Sequence, residues 1–153
     1  MISEIKRLRL PFGKWQEYAT ELIQKHNKNL PKDCYSYLGE PPINCSYPDE
    51  RTVRMNIGCI AHFELSFLYG CKAILISHDT YIEPHYRGLG FAGSLQLIKE
   101  RMAKDLMAKI LIATAVETNA PQQKVLAKWK WDTITTFENN RTGNTVGFFI
   151  KHL

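Results

Sequence analysis

A chain of 153 residues with 44% hydrophobic and 23% charged residues has the size and balance of one globular domain, which excludes a fibre or a disordered chain. Its formal net charge of +5 suits an anionic ligand, a nucleic acid or nothing in particular, because net charge bears on steering and solubility rather than on fold. Charges interrupt every apolar run from Met1 to Leu10, and no later run approaches the ~20 residues that span a bilayer. The expectation is a single domain over 1–153, without a signal peptide, in the cytoplasm.

The cysteines (Cys34, Cys45, Cys59, Cys71) include no C-x-x-C pair, so free thiols are expected rather than disulfides. The histidines (His26, His62, His78, His85, His152) show no i, i+4 pair, and no structural metal is expected.

Residues 13–29 predict a helix with Trp15, Tyr18, Ala19, Leu22, Ile23 and His26 on one face, ended by Asn29 and Pro31. Residues 31–52 carry Pro31, Gly39, Pro41, Pro42 and Pro48 and read as loop with one short strand. Residues 53–69 hold two strands turning near Gly58 or Gly70, and Lys72–Glu83 is a further strand. Phe91, Leu95, Ile98, Met102 and Leu106 then fall on one helical face. Lys109–Val116 is a strand and Asn119 to about Trp129 a short helix, with Trp129 in the core and Trp131 sealing the next strand. Thr133–Phe137 and Thr145–Ile150 are strands joined by a turn rich in Asn and Gly at 139–144. The C-terminal half therefore reads β-α-β-α-β-β, and the class is α/β.

The most informative stretch is Tyr81-Ile-Glu-Pro-His-Tyr-Arg-Gly-Leu-Gly-Phe-Ala-Gly93, which follows a strand and opens a helix. A helix start exposes amides with no intrahelical partner and carries partial positive charge, and glycine lets a phosphate approach the main chain. A phosphate or pyrophosphate can therefore bind at Gly88–Gly93. Gly88, Gly90 and Gly93 also spell G-x-G-x-x-G, the string of dinucleotide-binding folds. Against that reading, Pro84–Arg87 separate the strand from the first glycine, and no strand-end acid stands ~20 residues on, Glu117 being later. Too few residues follow Gly93 to complete a doubly wound sheet. A third reading is purely structural, with Gly88 and Gly90 shaping a tight turn.

Ile82-Glu-Pro84-His-Tyr86-Arg87-Gly88 resembles the V-x-P-x-Y-R-G run of the GNAT (Gcn5-related N-acetyltransferase) superfamily, and Arg87-x-x-Gly90-x-Ala92 is similar to its Arg/Gln-x-x-Gly-x-Gly/Ala pyrophosphate signature. The likeness covers roughly residues 72–131 and reaches Asn119, where the family keeps an asparagine before its next helix. It implies a mixed, mostly antiparallel sheet flanked by helices, with two splayed central parallel strands, here Lys72–Glu83 and Lys109–Val116. It implies acetyl-CoA as co-substrate, held by Tyr81, Ile82, Arg87, Gly88, Leu89, Gly90, Phe91, Ala92, Gly93 and Asn119, with a backbone amide near Ile82 polarising the carbonyl. It further implies transfer of acetyl to a primary amine, which leaves a lysine side chain, a protein N-terminus, a polyamine, an aminoglycoside and an aminoacyl-tRNA open as acceptors.

The chain departs from the family in two places. The general-acid tyrosine expected seven residues after Asn119 is Leu126, so solvent, Tyr81 or Tyr86 would protonate the leaving thiolate. The expected Gly-Phe pair is Lys130-Trp131. The family commonly takes its base from the strand before the phosphate loop, on the face of Ile82. Strict alternation puts Ile76, His78 and Thr80 there, and His78, with a side-chain reference pKa of ~6.5 for its type, is the candidate base. Glu117, acting through a water, is the second candidate. Lys124, Lys128 and Lys130 could meet the 3′-phosphate of coenzyme A; a nucleic acid is the less favoured partner, and a homodimer is compatible with the sequence. Leu126, the short chain and the Arg141-Thr-Gly-Asn turn also resemble small GNAT-like proteins encoded by bacteriophages. That likeness carries a second reading, a non-catalytic binding or structural protein in a host cytoplasm.

Overall fold

The computed structural model of the chain describes residues 12–26 and 43–153, with side chains in the first stretch described from Lys14 to Gln24. The expectations for residues 27–42, and for the side chain of His26, lie outside the described residues. The elements run α1 (Phe12–His26), β1 (Ile43–Asp49), β2 (Thr52–Ile57), β3 (Ala61–Phe67), β4 (Ile74–Ile82), a 3-10 turn (Pro84–Tyr86), α2 (Phe91–Asp105), β5 (Ile110–Val116), α3 (Ala120–Lys128), β6 (Asp132–Glu138) and β7 (Thr145–His152). The strands form one seven-stranded sheet in the order β1-β2-β3-β4-β5-β7-β6. β4 and β5 are parallel and every other neighbouring pair is antiparallel.

The sheet has one apolar face because its strands alternate. Val53, Met55 and Ile57 on β2, and Ala61, Phe63, Leu65 and Phe67 on β3, are buried, while Arg54, Asn56, His62, Glu64 and Ser66 between them are half-buried. Antiparallel register sets Val53 opposite Leu65 and Met55 opposite Phe63, so like meets like across the ladder. α1 packs against α2 and β1, and its Trp15, Ala19, Leu22 and Ile23 join the same core. Trp15 Nε1 donates to Asp105 Oδ2 at 2.8 Å, which ties α1 to the end of α2. The helical face of α2 is as its spacing predicts, with Phe91, Leu95, Ile98, Met102 and Leu106 all buried. At the far end, Trp131 is buried just before β6, whereas Trp129, expected in the core, is only half-buried against it. Trp129 lies at the C-terminal cap of α3 with its indole over Gly93, whereas Trp131 fits under the sheet. No helix among the described residues is long and apolar enough to cross a membrane.

β4 does not alternate strictly. His62 faces Tyr81 and Glu64 faces His78, so Phe63 alone stands opposite both Asp79 and Thr80. This is a β-bulge, one extra residue on β4. Asp79 adopts a left-handed backbone (φ 49°), which aspartate tolerates better than most residues. The bulge reverses parity: His78 lies on the polar face with Glu64, and Ile82 lies opposite Ala61 against the core. The expectation that His78 shares a face with Ile82 is therefore corrected. The parallel ladder of β4 and β5 runs from Ile74–Ile110 to Ser77–Ala113 and stops beside the bulge. Beyond it β4 continues against β3, and β5 against β7, so the two strands part.

The left-handed backbone at Asp79 makes a prediction. Asp79→Asn should unfold close to wild type, because Asn also tolerates this conformation, whereas Asp79→Val should lose ~1–3 kcal/mol in urea denaturation. Equal stability of the two variants would mean that the bulge is not held at this residue.

Candidate functional site

The parting of β4 from β5 opens a cleft of about 630 Å³. One wall is the end of β4, with Thr80, Tyr81 and Ile82; the floor is the loop and first turn of α2, with Arg87, Gly88, Gly90, Phe91 and Ala92. The remaining wall is the start of α3, with Asn119, Pro121 and Gln122. Thr80 and Ile82 belong to the core face of β4 and Tyr81 to the polar face, so residues of both faces line the cleft.

Local chemistry shapes the loop. Glu83 opens the 3-10 turn by accepting from His85 N–H at 2.8 Å and contacting His85 Nδ1 at 3.1 Å. These hydrogen bonds from His85 hold the Glu83 carboxyl below its usual range. Pro84 continues that turn, and Tyr86 anchors it edge-on to Phe91 at 6.4 Å between ring centres. Arg87 turns back, with Nε donating to the Ile82 carbonyl at 2.8 Å and its guanidinium 5.5 Å from the Tyr81 ring centre. Gly88 (φ 76°) and Gly90 (φ 90°) both take left-handed backbone, which is what makes them glycine. Gly90 caps α2 with no side-chain hydrogen bond, and the first turn of α2 contains no acidic residue. The amides of Phe91, Ala92 and Gly93 have no intrahelical acceptor by geometry, so this end of α2 attracts an anion.

The third glycine has another job. A β-carbon at Gly93 would stand 3.3 Å from Trp129 Cζ2, so its bare backbone lets α2 seat against the end of α3. Gly93→Leu should cost ~1–3 kcal/mol by overpacking. Wild-type stability with an unchanged tryptophan emission spectrum would refute that role.

On the polar face of β3 and β4 a side-chain network surrounds the bulge. Arg54 Nη1 bridges Asp79 Oδ2 at 2.7 Å and Glu64 Oε1 at 3.2 Å, and His62 Nε2 lies 3.5 Å from the same Asp79 oxygen. His62 stacks on Tyr81 with ring centres 5.5 Å apart. His78 Nε2 is 2.6 Å from Ser66 Oγ and its Nδ1 is 3.4 Å from Glu64 Oε2. Which of His78 and Ser66 donates depends on the imidazole tautomer, and the Ser66 hydroxyl also meets Thr52 Oγ1 at 2.7 Å.

No protein-family model matches the chain, and no curated protein matches it. Solved structures do. A GNAT-family acetyltransferase from Elizabethkingia anophelis, solved with acetyl-CoA bound, superposes with a TM-score of 0.59 at 13% identity, over 67% of this chain and 75% of that one. A candidate phosphinothricin N-acetyltransferase gives 0.59 at 16% identity, over 92% and 93% of the two chains. An IAA acetyltransferase from Bacillus cereus gives 0.57 at 12% identity, over 68% and 79%. The chain has the GNAT fold.

Within that fold, Tyr81, Ile82, Arg87, Gly88, Gly90, Phe91, Ala92 and Asn119 line the cleft, whereas Leu89 and Gly93 do not. Asn119 is also the cap of α3, its Oδ1 accepting from Gln122 N–H at 3.3 Å. Thr80, Pro121 and Gln122 line the cleft without having been singled out as cofactor contacts; the Asn-Ala-Pro-Gln helix start is the signal that points to the last two. His78 and Glu117 are both exposed and neither lines the cleft. His78 sits one residue before the bulge, and Glu117 sits past β5, its N–H donating to the Thr145 carbonyl at 2.9 Å. Leu126, at the position of the family's tyrosine, is buried in the core. Lys124, Lys128 and Lys130 are exposed.

Proposed function

We propose that the cleft binds acetyl-CoA and that the protein is an N-acetyltransferase acting on a primary amine. The observation that carries this reading is the meeting of two features in one cleft, the gap between parallel strands and the side-chain-free start of α2. The amides of Phe91, Ala92 and Gly93 and the bare backbone at Gly88 and Gly90 suit a pyrophosphate. The strand edge past Ser77 offers backbone hydrogen bonds to the extended amide chain of pantetheine. Bound acetyl-CoA would supply an activated acyl group, whose carbonyl a β4 amide near Ile82 polarises.

The amine nitrogen attacks the thioester carbon, the C–S bond breaks, and coenzyme A leaves as thiolate. The residues of this chain then have to take one proton from the amine. Since residues of both faces of β4 line the cleft, an acceptor can approach from the polar face while the phosphates lie at α2. On that face His78 is the base, oriented by Glu64, and the proton reaches Nε2 by displacement of the Ser66 hydroxyl or through it. Glu117 is the alternative base. Tyr81 and Tyr86 both line the cleft and offer hydroxyls to the departing thiolate.

Calorimetry with coenzyme A tests the binding half. Gly90→Val should weaken affinity at least ~10-fold, since a branched side chain then stands at a left-handed cap beside the phosphates. Unchanged affinity in a folded variant would move the site elsewhere. Turnover of acetyl-CoA with a panel of amines, followed by free thiol, tests the catalytic half. His78→Ala should lower it ~10²-fold with little change in cofactor affinity, and added imidazole should restore part of it. Full turnover in His78→Ala would transfer the role to Glu117 or dispense with a base.

The second reading, a GNAT-like protein that binds without catalysis, is favoured by Leu126, which puts a buried leucine where the family has its acid. Coenzyme A binding without thiol release by any amine would select it.

A further inference from the structure

Lys99 is the most anomalous side chain in the core. It lies on the inner face of α2, 5% exposed, with no carboxylate partner among the described residues. Burial pulls its ammonium down to about 7, so the fold bears a cost to keep an amine there. Its Nζ donates to Thr80 Oγ1 at 2.7 Å and stands 5.3 Å from the ring centre of Phe63. Thr80 is one of the two bulge residues, and Phe63 is the residue they share as a partner. Lys99 thus touches both sides of the irregularity. On the opposite face of the sheet, Arg54 and His62 hold the other bulge residue, Asp79, at 2.7 and 3.5 Å.

We propose that Lys99 is a positioning residue for the cleft: it ties Thr80 to α2, fixes the β4 bulge, and so decides which way Thr80, Tyr81 and Ile82 face. The physical reason is register. Side chains alternate with period two, so loss of the extra residue from the bulge would send every side chain after it to the other face. Asp79, in its left-handed conformation, resists that shift poorly by itself. A hydrogen bond from the helix side and an ion pair from the polar side clamp the two bulge residues apart. Hydrophobic side chains could fill the volume of Lys99 but could not hold the Thr80 hydroxyl inward.

The proposal rests on the cofactor reading for its effect on binding and stands apart from it for its effect on β4. Lys99→Met keeps the length and removes the donor; Thr80→Val keeps the shape and removes the acceptor. Each should weaken coenzyme A at least ~10-fold by calorimetry. The double variant should be no weaker than the worse single, because both remove one interaction. Thr80→Ser, which retains a hydroxyl, should bind more tightly than Thr80→Val. Lys99→Met should also unfold in urea at no lower denaturant than wild type, since replacing a buried charge with an apolar side chain is often neutral or stabilising.

Without any ligand, the amide resonances of Asp79, Thr80, Tyr81 and Ile82 should move in Lys99→Met while those of β6 and β7 stay. Unmoved β4 amides overturn the proposal, as do fully additive effects in the double variant. Wild-type protein that fails to bind coenzyme A would instead defeat the cofactor reading, and the β4 amides would still decide the role of Lys99.

Discussion

The extra residue in β4 is the constraint on which the rest of the site depends. Hydrogen bonding between parallel strands needs both edges in register, and beside Asp79 and Thr80 that register ends. A sheet without the bulge would let the β4–β5 ladder run on toward Ile82 and Val116, and the cleft would be filled with strand. With it, the strands separate while each stays paired on its outer side, so the gap opens without unravelling either one. The same residue sorts chemistry between the two faces. Thr80 and Ile82 turn to the helices; His78, Asp79 and Tyr81 turn to the polar face, where they meet Arg54, His62 and Glu64.

The charge arrangement around the cleft follows from what is absent near α2 as much as from what is present. Its first turn has no acidic residue and its cap has no side chain to occupy the exposed amides. Arg87 is held against the Ile82 carbonyl and the Tyr81 ring, which places a fixed positive charge at the cleft edge. Glu83 is engaged by His85 and points its charge at the turn rather than into the loop. An anion entering here therefore meets oriented donors and one guanidinium, while the acidic groups of the polar face are already paired with Arg54 and the histidines.

Periodic features of this fold were legible in the sequence and single-residue irregularities were not. The α2 stripe from Phe91 to Leu106, the strand 110–116 and the β6–β7 hairpin all announce themselves by spacing or by turn residues. The cleft floor was legible too, because Gly88 and Gly90 stand where backbone geometry admits little else. The bulge has no such mark: Asp79 tolerates left-handed backbone but does not demand it, and alternation read straight through it puts His78 on the wrong face. Lys99 was hidden for a related reason. A lysine in a helix reads as surface, and only the bulge beneath it supplies the polar partner that lets it be buried. Gly93 completes a familiar string, yet its neighbour is Trp129, a contact set by the packing of two helices that no local pattern encodes.

In the function proposed above, the cofactor is held by backbone and the proton is moved by side chains, and the two are exposed to different pressures. The cradle at the start of α2 needs amides in a fixed geometry and glycine only where φ is positive, so nearly any sequence that folds this way retains it. Proton transfer, by contrast, requires a particular side chain at a particular place, and a single substitution removes it. Leu126 illustrates the difference: it is an apolar core residue that offers no hydroxyl and does not line the cleft. The cleft has two tyrosines of its own, on β4 and on the 3-10 turn. If the protein acts as proposed above, affinity for the cofactor and competence in transfer are set by separate residues. Substitutions on opposite faces of β4 would then separate the two, with the proposed grip on the α2 side and the proposed proton path on the side of His78.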